Sequence, residues 1–296
     1  MRLLVVGAHG QVGTDLVAAA GAAGLPVRGL GSRELDITDA AAVQAALGYL
    51  AAGSAETGAR GVVINAAAYT AVDAAETDRE AAYAVNEQGP ANLAIAAQRL
   101  GLGLVHVSTD YVFPGDGAQP YRPTDPTGPR SVYGASKLAG ELRVLESHPD
   151  AHVVRTAWVW GTTGNNFVKT MAKLAATRPT VDVVDDQRGT PTLAADLAAG
   201  LIELAGGAVP GGVLHATNGG ETTWFEFARA IFADLGHDPN RVHPTTTDKF
   251  PRPAPRPAYS VLSGEAWVNA GLTPLRGWRA ALDATLTAHP EAFVPA

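Results

Sequence analysis

Tyr133 and Lys137 stand four residues apart in Ser131-Val-Tyr-Gly-Ala-Ser-Lys137, a stretch with the pattern of a helix start. On a helix that offset puts both side chains on one face. A free phenol has a pKa of about 10. A neighbouring ammonium favours the phenolate, so Lys137 is expected to lower the value for Tyr133. Such a pair can deliver a proton to a carbonyl oxygen near neutral pH. A second group lies upstream. Val107-Ser108-Thr109-Asp110-Tyr111-Val112-Phe113 follows an apolar run, and a hydroxyl there can hydrogen-bond the same oxygen. The third stands at the other end of the chain, where Gly7-x-x-Gly10-x-x-Gly13 follows Val5-Val6 and opens a helical pattern. Glycine lets a phosphate approach the backbone, and a helix N-terminus offers free N–H groups to an anion. The turn therefore suits a pyrophosphate, and the three groups together point to reduction of a carbonyl by a nicotinamide cofactor.

The end of the second strand selects between the two nicotinamide cofactors. An acidic residue there would bind a ribose 2′-hydroxyl, whereas an Arg accepts a 2′-phosphate. Leu30-Gly31-Ser32-Arg33 has no carboxylate before Glu34. Ser32 and Arg33 therefore favour NADPH and leave NADH open, the competing reading of Arg33 being a solvated loop residue. Asp36 and Ile37 either meet the adenine edge or belong to the capping region near Asp39. Asn65 leads into Ala66, Ala67 and Ala68, small side chains that let a cofactor lie against the backbone or that simply pack a helix on a sheet. His9 and His106 have the settings of structural histidines rather than metal ligands.

The elements that must position these groups alternate. Leu3–Gly7, Val27–Leu30, Gly61–Asn65, Leu104–Ser108 and Val153–Val159 are predicted strands. Between them lie helical patterns over Thr14–Gly24, Ala40–Leu50, Arg79–Leu100 and Val132–Ser147. This βαβ alternation predicts an α/β fold with a doubly wound parallel Rossmann sheet. Later segments, Phe167–Thr177 (helix), Val181–Val184 (strand), Ala194–Ala205 (helix), Val213–Ala216 (strand) and Thr223–Leu235 (amphipathic helix), add a smaller, mostly C-terminal α/β domain. The expected division is a nucleotide-binding unit over 1–156, with 181–216 returning to it, and a substrate domain from 157–180 and 217–296. Lys249–Tyr259 carries four prolines and is expected to form an ordered covering loop.

Composition narrows the class. The 296 residues are 46% hydrophobic, enough for a sizeable core. The net charge of −7 is spread without blocks, against a nucleic-acid surface or a basic membrane patch. No uninterrupted apolar run is long enough for a membrane span. There are no cysteines, which removes disulfides, thiolate metal sites and thiol nucleophiles and fits a cytoplasmic setting. The eight histidines lack metalloprotease spacing, and no metal is expected.

These segments resemble the extended short-chain dehydrogenase/reductase superfamily and, within it, the dTDP-4-dehydrorhamnose reductase family. The likeness runs through nearly the whole chain. It rests on Gly7–Gly13 (with His9, Gln11 and Val12 inside the turn), on Asn65-Ala-Ala-Ala-Tyr-Thr-Ala-Val72-Asp73 with Ala75-Glu76, and on Ser108–Gly115. Val132–Glu141, Arg155–Trp158, Gly164–Phe167, Asp186–Thr192 and Arg256–Leu262 continue it in order. The resemblance implies a catalytic trio of Thr109, Tyr133 and Lys137. It implies that Val72, Asp110, Val112, Trp158, Asn165, Asn166 and Phe167 border a sugar, with Gln187, Arg188, Thr190 and Arg256 near the substrate nucleotide. A tryptophan face suits a hexose, though Trp158 would equally suit a core.

Two departures stand out. Gly31-Ser32 replaces an Asp found in several relatives after the second strand. Asp15 stands where some relatives carry a Glu that helps hold a magnesium ion between subunits, so a monomer is as open as a homodimer. The implied partner is a dTDP-sugar. Reductases of other dTDP-4-keto sugars, including one that yields dihydrostreptose, share the motifs. A regulatory subunit of the methionine adenosyltransferase type shares the fold without catalysis. A dehydratase would need a Glu after the hydroxyl-bearing Thr-Asp pair, where Tyr111 stands.

Overall fold

The computed structural model describes residues 1–293. Its centre is a six-stranded, all-parallel sheet. Five strands are β1 (Arg2–Val6), β2 (Val27–Leu30), β3 (Gly61–Asn65), β4 (Gly103–Thr109) and β5 (His152–Thr156), and the sixth is Gly212–His215. From one edge the order is β2, β1, β3, β4, β5 and Gly212–His215. The order reverses between β1 and β3, and such a reversal opens a crevice at the strand C-termini.

Both faces of the sheet are buried, and the alternation of side chains shows it. Leu3 and Val5 of β1 join a core with Leu16 of helix α1 (Gln11–Ala22) and with Leu197, Leu201 and Leu204 of helix Ala194–Gly206. Leu4 and Val6 point the other way, into a core with Val43 and Leu47 of helix α2 (Ala40–Thr57) and Leu93 of helix Gly89–Arg99. Strands covered on both sides lose polar alternation and become continuous apolar runs, as in Leu3-Leu-Val-Val6. Asp39 caps α2, its carboxylate accepting from Ala41 and Ala42.

Three expected elements come out differently. The long helix over Arg79–Leu100 is interrupted by a π-turn at Ala84–Gln88. Pro90 has no N–H to return to the Asn86 carbonyl, and the Asn86 side chain is drawn inward to Tyr69 and Ser136. The strand expected over Val153–Val159 ends at Thr156. Trp158 then adopts φ +46°, which takes the chain off the sheet before Val159 and Trp160 pair with Thr192 and Leu193.

The segment 181–216 also divides. Helix Ala194–Gly206 and strand Gly212–His215 pack on or join the central sheet. Val181–Val184 instead pairs with Val242–Thr245, beside a separate core of Trp160, Val168, Phe227, Ile231 and Leu282. The proline-rich stretch 249–259 is ordered against its surroundings. Tyr259 donates its N–H to Gly115, and Ala258 accepts from Arg188.

Candidate active site

A cleft of about 980 Å³ runs across the C-terminal ends of β1, β3 and β4. Gly7, at the end of β1, has φ +80°, and a Cβ there would lie 2.6 Å from the Ala67 amide nitrogen and 2.7 Å from the Ala66 carbonyl carbon. The turn therefore closes directly on the chain leaving β3, which only glycine permits. Gly10, Gln11 and Val12 line the cleft at the start of α1. No side chain caps this helix and its first turn has no acidic residue, so its amides remain available to an anion. Gly13 lies behind, packed on the Gly7 carbonyl.

Ser32, Asp36, Ile37, Ala66, Ala67, Ala68 and Val72 also line the cleft. Asp36 folds its carboxylate onto the Thr38 N–H and hydroxyl. His9 is exposed, its ring 3.2 Å from Glu34, whose carboxylate also accepts from the Gly31 N–H at 2.9 Å. The Gly31 backbone bond and His9 hold the Glu34 carboxyl below its usual range. Glu34, the first carboxylate after β2 in the sequence, thus folds back to the end of that strand. Arg33 lies outside the lining.

The expected trio meets at the far wall. Thr109 ends β4, and its hydroxyl caps the short turn Asp110–Val112 by accepting from Tyr111. Tyr133 opens helix Val132–Ser147, which Ser131 caps and Glu76 anchors by accepting from the Val132 N–H at 2.9 Å. Gly134 lets this helix approach the turn after β4, since a Cβ there would stand 2.3 Å from the Tyr111 carbonyl oxygen. Tyr133 consequently faces Thr109, with the Tyr111 ring edge-on at 5.5 Å. Lys137 is 2% exposed and donates to the Val107 carbonyl at 2.7 Å.

The electrostatics correct one expectation. Burial pushes the Tyr133 phenol up to about 12, opposed by the Thr109 hydrogen bond and reinforced by Asp110. Burial outweighs the lowering expected from Lys137. It also brings the amine itself down to about 8, against the pull of Glu141. The phenol is therefore fully protonated at neutral pH, the state required of a proton donor. Burial raises the Asp110 carboxyl to about 6.

The sugar-side residues are mixed. Asp110 and Trp158 line the cleft, but Val112 is wholly buried behind it. Gly164 lines it, whereas Asn165, Asn166 and Phe167 do not. Asn166 caps helix Phe167–Thr177, and Phe167 packs on Trp224. Gln187, Arg188, Thr190 and Arg256 also lie outside. They are bound to Thr247, Glu221, the Gly220 carbonyl and Asp73 respectively.

Sequence reasoning left out Trp224. It lines the cleft and stacks on Trp158 with ring centroids 3.6 Å apart and planes 10° from parallel. A bulky residue at positive φ is an outlier costing about 1–3 kcal/mol, and the aromatic pair returns about 0.5–1.5 kcal/mol. The pair makes a flat wall of the cleft. Its only sequence signal was an aromatic at the first position of an amphipathic helix.

Comparison with known proteins agrees with this geometry. Residues 1–290 match the family described as RmlD substrate binding domain. A dTDP-4-dehydrorhamnose reductase of Mycobacterium tuberculosis is 52% identical over 292 residues, covering 97% of this chain and 93% of that protein. A probable dTDP-4,6-dihydroxy-2-methyloxan-3-one 4-ketoreductase of Streptomyces antibioticus is 49% identical over 285 residues, covering 95% and 93%. Among solved structures, the dTDP-4-dehydrorhamnose reductase of Bacillus anthracis in complex with NADP superposes with TM-score 0.90 at 36% identity, covering 97% of this chain and 99% of that one.

Proposed function

The chain belongs to the dTDP-4-dehydrorhamnose reductase family, and from that membership we propose that it reduces the C4 carbonyl of dTDP-4-dehydro-β-L-rhamnose to dTDP-L-rhamnose with NADPH, Tyr133 acting as general acid. The observation that carries the reading is a half-buried, protonated Tyr133 beside Thr109, on the wall of a cleft that begins at the Gly7 turn. The cofactor fits what the cleft offers. The Gly7 cradle has no room for a Cβ, the α1 amides are uncapped, and Ser32 lines the cleft just after β2. The B. anthracis relative, by its description, binds NADP. When bound, the reduced nicotinamide supplies the hydride.

The chain's own residues do the rest. The Thr109 hydroxyl holds the substrate carbonyl oxygen and thereby sets which face of the carbon is open. The Tyr133 phenol gives its proton to that oxygen as negative charge develops on it. Lys137, held by Val107 on the cleft wall, would hold the ribose of a bound nicotinamide nucleotide. Trp158 and Trp224 exclude water from one side and offer an aromatic surface to the hexose.

A second substrate has support from the S. antibioticus relative, whose described substrate is a different dTDP-linked ketosugar. A panel of dTDP-4-keto sugars assayed by NADPH oxidation, with products identified by NMR, separates the two. Turnover of dTDP-4-dehydro-β-L-rhamnose to the L-rhamno product is the expected result. Turnover of another member of the panel alone would replace the substrate and keep the reaction.

A further inference from the structure

The residue that gives the proton sits where a helix is least secure. Tyr133 is the second residue of helix Val132–Ser147. It lies in the first turn, whose N–H groups have no partner within the helix and which frays first. Beyond it the helix is well tied. Ser136 accepts from the Asn86 side chain at 3.0 Å, Lys137 donates to the Val107 carbonyl at 2.7 Å, and Glu141 binds Arg155 and the Ser108 hydroxyl. All of these ties lie C-terminal to Tyr133.

The ties on the other side differ in kind. Ser131 accepts from the Gly134 N–H at 3.1 Å, but a local cap travels with its helix and cannot place it in the protein. Gly128 and Arg130 bind Val112 and Asp116, and so hold the loop leading in. Glu76 holds the helix itself. Its carboxylate accepts from the Val132 N–H at 2.9 Å, across 56 residues of sequence. The first turn has no acidic residue of its own, so Glu76 also supplies the negative charge that a helix N-terminus favours.

Glu76 follows the four-residue helix Val72–Ala75, which is too short to be stable by itself. Asp73 fixes it from outside. That carboxylate accepts from the Ala254 N–H at 3.3 Å and pairs with Arg256 at 2.9 Å, both on the proline-rich strap. Val72 of the same helix lines the cleft. One short segment thus meets the strap, the cleft and the helix that bears Tyr133.

We propose that Glu76 is a positioning residue for Tyr133, fixing the first turn of its helix relative to the cleft wall formed by the chain after β3. The inference rests on the reductase reading, in which the phenol must stand about 2.6–3.2 Å from the substrate carbonyl oxygen as hydride arrives. A first turn that frays moves the phenol out of that window, and a misplacement of about 1 Å can cost about 10²-fold in rate. The Gly7 turn lies at the other end of the cleft, so cofactor affinity does not depend on Glu76.

The experiment has two arms, and the first needs no substrate. The chain has seven tyrosines, and 13C NMR of the tyrosine-labelled full protein identifies Tyr133 as the signal lost in Tyr133→Phe. In Glu76→Ala that signal should shift or broaden, while the signal of Tyr49, exposed on α2, stays in place. Glu76→Gln keeps an oxygen that accepts from Val132 and should restore the signal to near its wild-type position. The second arm is kinetic. Glu76→Ala should lower kcat by about tenfold or more and change the NADPH dissociation constant by less than about twofold, whereas Glu76→Gln should stay within about threefold of wild type in both. A merely structural role would lower the melting temperature and leave kcat per folded molecule unchanged. Glu76→Met, which keeps the side-chain length without a carboxylate, serves if Glu76→Ala does not fold. An unmoved Tyr133 signal, an unchanged kcat in the folded variant, or equal losses in the Ala and Gln variants would each overturn the proposal. A wild-type protein that reduces no dTDP-4-keto sugar would instead remove the reductase reading, and the NMR arm would still decide the placement.

Discussion

Replacing Tyr133 with Phe removes one oxygen from a half-buried ring and leaves its packing in place. The phenol touches Thr109, and Tyr111 lies edge-on to the ring, so the fold loses about one hydrogen bond's net worth, roughly 1 kcal/mol. The chemical loss is larger. A positioned general acid contributes about 10²–10⁴ in rate, or roughly 3–5 kcal/mol of barrier. The turnover number with a dTDP-4-keto sugar should fall by that factor while NADPH affinity, measured by fluorescence titration, changes less than about threefold. The pH profile adds a second check. With the phenol pushed up to about 12 by burial, the wild-type reductive rate should show no alkaline loss from Tyr133 until pH approaches that value. If the variant turned over within tenfold of wild type and kept the same profile, Tyr133 would not be the acid.

Other perturbations test other parts of the cleft. Lys137→Met should abolish most turnover yet raise thermal stability at pH 7. A lysine whose folded value is depressed from 10.5 to about 8 destabilises the fold fully below pH 8, and the penalty disappears as pH rises toward 10.5. The stability gain of the variant, at most about 3 kcal/mol, should therefore shrink across that window in thermal melts, and a constant gain would contradict the assignment. Gly7→Ala places a Cβ against the Ala67 backbone at a φ of +80°, costing about 2–5 kcal/mol from strain and overlap, and should raise the Michaelis constant for NADPH at least tenfold. An unchanged constant would detach the turn from cofactor binding. Glu34→Gln removes a carboxylate that lies at the end of β2, so the NADPH Michaelis constant should fall several-fold and that for NADH should not. Equal effects on both would place Glu34 away from the 2′-phosphate.

Local rules carried much of the architecture. The strands Val27–Leu30, Gly61–Asn65 and Val181–Val184 and the helices Val132–Ser147 and Phe167–Thr177 stand where apolar runs, caps and periodicity put them. Each is a segment whose own sequence agrees with its environment. The Val153–Val159 strand broke because Trp158 is drawn out of the sheet toward Trp224, a contact across 66 residues. The π-turn at Ala84–Gln88 arises from Asn86 reaching Tyr69 and Ser136, and periodicity within one helix carries no sign of such partners.

The chain's residue types and their order were sufficient to specify a parallel sheet, a glycine turn for an anion, and a Tyr and Lys one helical turn apart. These depend on backbone sterics and on spacings of a few residues, which are written locally. Tertiary structure alone decided the protonation of that pair, because the desolvation that drives the phenol up and the amine down comes from elements distant in the chain. It also folded Glu34 back onto Gly31, brought Trp224 to the cleft, and tied Arg188 and Arg256 to Glu221 and Asp73. Burial and ion pairing are properties of neighbours in space, and neighbours in space are what a linear sequence does not list.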